Sequence, residues 1–88
     1  MKYVVELSPT AVRQLKKLDR QIQIRVLGRI EKLASEPRPG SAAILKGADG
    51  TLLRVREGDY RIIYTIEDDK LIVLVIRIGH RSEVYRNL

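Results

Sequence analysis

Arg54, Arg56 and Arg61 lie in the segment RVREGDYR, where Gly58 and Asp59 suit a two-residue turn between antiparallel strands. Hairpin arithmetic then sets Glu57 opposite Tyr60, Arg56 opposite Arg61 and Arg54 opposite Ile63, so the three arginines share one face. Like charges directly opposite in a sheet destabilise it by up to about 1 kcal/mol. Two accounts fit the pattern. One is a solvated face neutralised by Glu57 and Asp59. The other is an anion site in which planar guanidinium forks match the oxygens of phosphate. The C-terminal segment adds His80, Arg81 and Tyr85, near enough to swing over the end of the arginine face. His80 is the only histidine, and an imidazole can act as acid or base near neutrality. The plainer roles are a structural histidine and a tyrosine that packs its ring and exposes its hydroxyl.

Other chemistries lack their residues. There is no cysteine, no HExxH, no Cys/His spacing and no cluster of three carboxylates on one element, so any catalysis is expected to need no metal and no cofactor. Glu67, Asp68 and Asp69 fall at an expected hairpin tip and read as a solvated turn rather than a Mg²⁺ site. Walker and Rossmann glycine patterns are missing, which argues against nucleotide hydrolysis and hydride transfer.

The elements that must position these groups follow from periodicity. KYVVEL (2–7) is a short β-branched first strand, and Ser8 before Pro9 is a helix start with proline at the first position. Ala11, Val12, Leu15 and Leu18 make an apolar face, with Arg13, Lys16, Lys17 and Arg20 on the other side. Asp19 can cap a second helix built on Ile22, Val26, Leu27, Ile30, Leu33 and Ala34, with Arg25, Arg29 and Lys32 on its outer face and Pro37, Pro39 and Gly40 ending it. Residues 41–50 read as a surface connection. Three strands follow at roughly 51–57, 60–67 and 70–78, joined by two-residue turns at Gly58-Asp59 and Asp68-Asp69, the second of which pairs Ile63 with Leu74. Leu53, Val55, Tyr60, Ile62, Tyr64, Ile66, Val73 and Val75 form the helix-covered face. Leu52, Thr65, Leu74, Ile76 and Ile78 join the arginines on the other. The expected fold is α+β, a single βααβββ domain over residues 1–88, in which a two-helix hairpin packs on one face of an antiparallel meander.

With 88 residues and no Cys, Trp or Phe, a small aliphatic core must carry stability. The formal charge of +6 favours nucleic acid or an acidic protein as partner. A membrane surface fits poorly, because a basic interfacial helix needs an apolar face with Trp or Phe. The longest apolar run, Leu71 to Ile76, cannot span a bilayer, and residues 1–20 hold no signal-peptide pattern, so a cytoplasmic location is expected.

LKG at 45–47, LLRVREGDYRIIY at 52–64 and GHRSEVYR at 79–86 together resemble the RelE branch of the RelE/ParE toxin superfamily. The resemblance covers nearly the whole chain. It implies a ribosome-dependent, metal-independent endoribonuclease that inhibits translation, promoting attack of an mRNA 2′-hydroxyl on the adjacent phosphate in the ribosomal A site. The implied partners are the ribosome, mRNA and a cognate antitoxin, with operator DNA reached only through the toxin-antitoxin complex. An acidic antitoxin could cover the basic surface. Competing readings are a ParE-like gyrase inhibitor, a catalytically degenerate homologue and a non-catalytic RNA-binding module.

Position by position, the resemblance implies that Arg61 contacts the scissile phosphate and Arg54 stabilises transition-state charge. Arg56 and Lys46 become substrate-binding groups. Arg81 or His80 protonates the leaving 5′-oxygen, and Tyr85 orients or stacks the nucleotide. Leu52 stands where the best-studied member has a lysine implicated in deprotonating the 2′-hydroxyl. The base here is then His80, Tyr85 or Lys46, or the chain is a weaker enzyme. Arg13, Lys16, Lys17, Arg25 and Arg29 could dock on ribosomal RNA through phosphate contacts, or simply solvate the helices.

Overall fold

Ser8 opens the first helix as its sequence predicts: its side chain accepts the Ala11 N–H at 3.1 Å, and Pro9 occupies the first turn, where no N–H is needed. The computed structural model describes residues 2–45 and 52–86. Strand β1 (Val4–Leu7) leads into α1 (Pro9–Lys16) and α2 (Arg20–Lys32). Strands β2 (Ala43–Leu45), β3 (Leu52–Glu57), β4 (Tyr60–Glu67) and β5 (Ile72–His80) follow. The sheet order is β1-β5-β4-β3-β2, with β1 parallel to β5 and the other pairs antiparallel. The helices cover one face, where Ala11, Val26, Ile30 and Leu33 meet Val55, Ile62, Tyr64, Val73, Val75 and Ile78 in the core. Full burial of each aliphatic side chain contributes about 1.5–3 kcal/mol.

Three features differ from the sequence expectation. The connection after α2 contains a strand, β2, whose three residues pair with Leu52, Leu53 and Arg54. A segment so short takes its conformation from the neighbour it pairs with, so its own composition does not announce it. The β4–β5 connection is not a two-residue turn. A 3-10 turn over Asp68–Lys70 is followed by Leu71 in the left-handed region at φ 55°, so Glu67 pairs with Ile72. A bulge then leaves Ile76 without a β4 partner, because Tyr64 pairs with Val75 while Ile63 pairs with Arg77. Contacts from the distant N-terminal half surround the bulge. Ser8 Oγ donates to the Ile76 carbonyl at 2.9 Å, and Gln14 Oε1 accepts the Ile78 N–H at 2.7 Å.

Together the longer turn and the bulge change which side chains share a face. Ile63 faces Arg77 rather than Leu74, Ile78 moves to the helix side, and Arg77 joins the face of Arg54.

Candidate active site

The β3–β4 hairpin forms as read, with Arg56 paired to Arg61 and Arg54 to Ile63. Gly58 has φ +59° and Asp59 does not share the positive sign, the pattern of a II′ turn whose first position favours glycine. Of the two carboxylates that could have neutralised the arginine face, Glu57 is engaged elsewhere and Asp59 forms no ion pair among the described residues. Glu57 pairs with Arg25 of α2 at 3.2 Å, and the other ion pairs among the described residues are Arg38 with Asp68 and Glu67 with Lys70. Arg54, Arg56, Arg61 and Arg77 take part in none of these, so the face is cationic and uncompensated by the described acids.

Each arginine is held differently. Arg61 is 9% exposed, and its Nη1 donates to the carbonyls of Gly58 at 3.1 Å and Tyr60 at 3.2 Å, which anchors the guanidinium on the hairpin tip. Arg56 is exposed. Arg54 reaches the tail: its Nη1 is 3.4 Å from the Tyr85 hydroxyl, while its Nε is buried and has no hydrogen-bond partner among the described residues. A buried charged donor left unpaired is costly.

The tail after β5 folds back as a short turn. Glu83 and Val84 N–H both donate to the His80 carbonyl at 2.9 Å, and Arg86 N–H to the Glu83 carbonyl at 3.0 Å. Arg81 is exposed, and its backbone N–H reaches the Asp59 carbonyl at 2.8 Å, setting the start of the tail against the hairpin tip. A Cβ built on Gly79 would touch the Val84 Cβ at 3.4 Å, so the tail lies directly on β5 there. Tyr85 and Arg54 are thus brought together as the sequence suggested.

His80 is placed apart. It pairs with Tyr60, its ring meets the Tyr60 ring edge-on at 5.7 Å, and its Nδ1 lies 2.8 Å from Ser82 Oγ. Tyr60 packs against the helix-side core, so strand alternation sets His80 on the side opposite Arg61. It lines a cleft of about 570 Å³ with Gln14, Lys17, Arg77, Val84 and Arg86. Lys46 lies outside the described residues, and Leu52 pairs with Leu45 beside the arginine face.

On the helices, Lys16 and Lys17 are exposed. Arg13 donates to Thr10 Oγ1 at 3.2 Å, whereas Arg25 is engaged with Glu57 and Arg29 donates to Ser41 Oγ at 2.7 Å. Among the described residues no group of three His, Cys, Asp or Glu could hold a metal ion, and no helix is long and apolar enough to cross a membrane. Sequence reasoning missed Arg77, because the bulge that turns it outward depends on contacts from Ser8 and Gln14.

Two helices on one side of a five-stranded mixed sheet, with a basic opposite face crossed by the tail, define a RelE-like α+β toxin fold. The family model described as ParE toxin of type II toxin-antitoxin system, parDE, matches residues 5–85, and the chain belongs to this family within the RelE/ParE superfamily. Toxin RelG of Mycobacterium tuberculosis is 33% identical over 87 residues, covering 98% of this chain and 99% of its own length. The mRNA interferase toxin RelE of Escherichia coli is 26% identical, with 97% of this chain and 92% of its own length covered. Among solved structures, the toxin-antitoxin complex RelBE2 of M. tuberculosis matches with TM-score 0.82 and 30% identity, covering 92% of this chain and 100% of that one. The archaeal RelE-RelB complex of Pyrococcus horikoshii matches with TM-score 0.80 and 28% identity, over 96% of this chain and 100% of that one.

Proposed function

We propose that this toxin is an mRNA interferase, cutting mRNA in the ribosomal A site by attack of a 2′-hydroxyl on the neighbouring phosphate. The observation that carries the reading is a face of arginines that form no ion pair with the described carboxylates, with Arg54 Nη1 beside the Tyr85 hydroxyl. The relative named mRNA interferase toxin supports it at the level of the family.

In this mechanism Arg54 and Arg56 bind the scissile phosphate, and Arg61, fixed by the hairpin carbonyls, adds charge that strengthens as the phosphorane forms. The Tyr85 ring carries the substrate nucleotide and its hydroxyl oxygen accepts a hydrogen bond from the attacking 2′-hydroxyl, a role that Leu52 cannot fill, while the 2′-proton passes to solvent as the O2′–P bond forms. Arg81 faces the leaving 5′-oxygen and offsets its negative charge as the P–O5′ bond breaks, and water then protonates it to the 5′-hydroxyl. His80, on the other side of the sheet end, helps to fix the start of the tail through Ser82 instead of meeting substrate. Lys16 and Lys17 supply phosphate contacts to ribosomal RNA. An acidic antitoxin neutralises the chain by covering the arginine face, as the RelB complexes among its structural relatives suggest.

The test is to incubate the protein with mRNA-programmed ribosomes, and with the same mRNA alone, mapping new 5′ ends by primer extension. Cuts confined to the A-site codon and to the ribosome-containing reaction are expected. Intact mRNA from folded protein would overturn the proposal. The parDE description of the matching family would then make inhibition of gyrase supercoiling the next activity to assay.

A further inference from the structure

Arg77 stands in a row with Ile63 and Arg54 across β5, β4 and β3. Its Nη1 donates to the carbonyl oxygen of Val84 at 3.4 Å and to that of Arg86. These carbonyls lie at the far end of the tail's turn, where backbone N–H partners run out and an arginine side chain can replace them. The tail also crosses the row. Val84, 2% exposed, rests on Gly79 of β5, and the Tyr85 hydroxyl reaches Arg54 of β3. Ile63, between them on β4, is 0% exposed although it is outside the helix-side core. The turn is therefore held at its start by the His80 carbonyl and at its end by the Arg77 guanidinium, chiefly through the Arg86 carbonyl.

We propose that Arg77 is a positioning residue that pins the tail across the arginine face, setting Tyr85 against Arg54 and Arg81 at the hairpin tip. Its catalytic consequence rests on the RNA-cleavage reading above. A guanidinium suits the role because its planar array of donors can serve two carbonyls at once, whereas lysine offers a point charge on a flexible stem. With Arg77 removed, the groups carried by the tail lose their place, while phosphate binding by Arg54, Arg56 and Arg61 persists. The expected signature is a fall in kcat with KM and the salt dependence of binding little changed. A direct phosphate ligand would instead raise KM and flatten the salt dependence, leaving the tail undisturbed.

Two readouts on the full chain separate these outcomes. Amide hydrogen exchange should quicken at Glu83, Val84 and Arg86 in Arg77→Met and stay unchanged at Ile62 and Val73 in the core strands. Ribosome-dependent cleavage should lose about tenfold in kcat, the scale of one charge-assisted hydrogen bond, with Arg77→Lys recovering part of it. Should Arg77→Met loosen the core strands as well, Arg77→Lys carries the same comparison. Tail amides that exchange as in wild type, or a raised KM with kcat intact, would overturn the proposal. A wild-type protein that cuts no mRNA would sink the cleavage reading, and exchange at Val84 would still decide whether Arg77 holds the tail.

Discussion

Replacing Arg54 by methionine should make the free protein more stable and the toxin less active. The guanidinium leaves a buried Nε without a partner among the described residues, a burden of about 1–3 kcal/mol for such a donor. Its contact with the Tyr85 hydroxyl, at 3.4 Å, is beyond the usual hydrogen-bond range and returns about 0.5 kcal/mol at most. Methionine keeps most of the apolar stem and removes one positive charge from a face that also holds Arg56, Arg61 and Arg77. The balance is a gain of about 1 kcal/mol, or a Tm higher by roughly 4–8 °C for a chain of this size. In cleavage the same change removes one preorganised donor from the developing phosphorane, about 3–4 kcal/mol, or a fall in kcat of a hundredfold or more. Thermal unfolding followed by far-ultraviolet circular dichroism measures the first effect, and primer extension on programmed ribosomes the second. A variant that melts lower than wild type and cuts as well would refute the argument on both counts.

The remaining predictions concern the scaffold. The Asp68 carboxylate accepts from Arg38 and from the Tyr3 hydroxyl, and these bonds, Arg38's first, hold its pKa at about 2 against an ordinary 3.8. The folded value is the lower one, so the stabilisation is complete above 3.8 and is lost as pH falls toward about 2. Urea midpoints followed down through that window should fall less steeply for Arg38→Met, and parallel curves would dismiss the link. Tyr64→Phe orphans the Pro37 carbonyl now bonded at 2.7 Å and should cost about 1 kcal/mol in urea unfolding with cleavage unchanged; an unaltered midpoint would mean that the bond contributes nothing. Gly58→Ala forces a side chain into φ +59°, with its Cβ 3.1 Å from Arg25 Nη2. Because the arginine tip can move, the backbone term dominates, at about 1–2 kcal/mol, and a variant as stable as wild type would show that the turn had changed type.

What could be read from the sequence was whatever local chemistry decides. Ser8-Pro9 starts a helix through its own side chain, and Gly58-Asp59 closes a hairpin whose length alone fixes the register of Arg54, Arg56 and Arg61. That register placed three of the candidate site residues correctly on one face before any tertiary contact was known. The parts that escaped depend on contacts across long sequence separations. Asp68-Asp69 resembles a tight turn, but Leu71 in the left-handed region lengthens the connection while Asp68 is drawn toward Arg38 and Tyr3. The bulge at Ile76 is held by Ser8 and Gln14 from the N-terminal half, and no pattern within β5 marks it. Its effect is to reverse the facing of every β5 residue after it, which exposed Arg77 to the arginine face and sent His80 to the side of Tyr60.

The rules of stable sheets are broken at the arginine face. Arg56 sits opposite Arg61, Arg54 keeps a buried donor unpaired, and Arg77 lies in the same row. Two of the acids are employed elsewhere: Glu57 holds α2 through Arg25, and Asp68 ties the N-terminal strand region to the connection after α2. A fold selected only for stability would turn one of those carboxylates toward the arginines or replace Arg54 with an apolar residue. Local penalties that neighbouring residues could relieve, and do not, are expected where a ligand completes the site. Under the proposed RNA-cleaving function, a phosphate backbone would supply the missing negative charge in the geometry guanidinium groups match best, and the feature that weakens the free toxin would strengthen its grip on RNA.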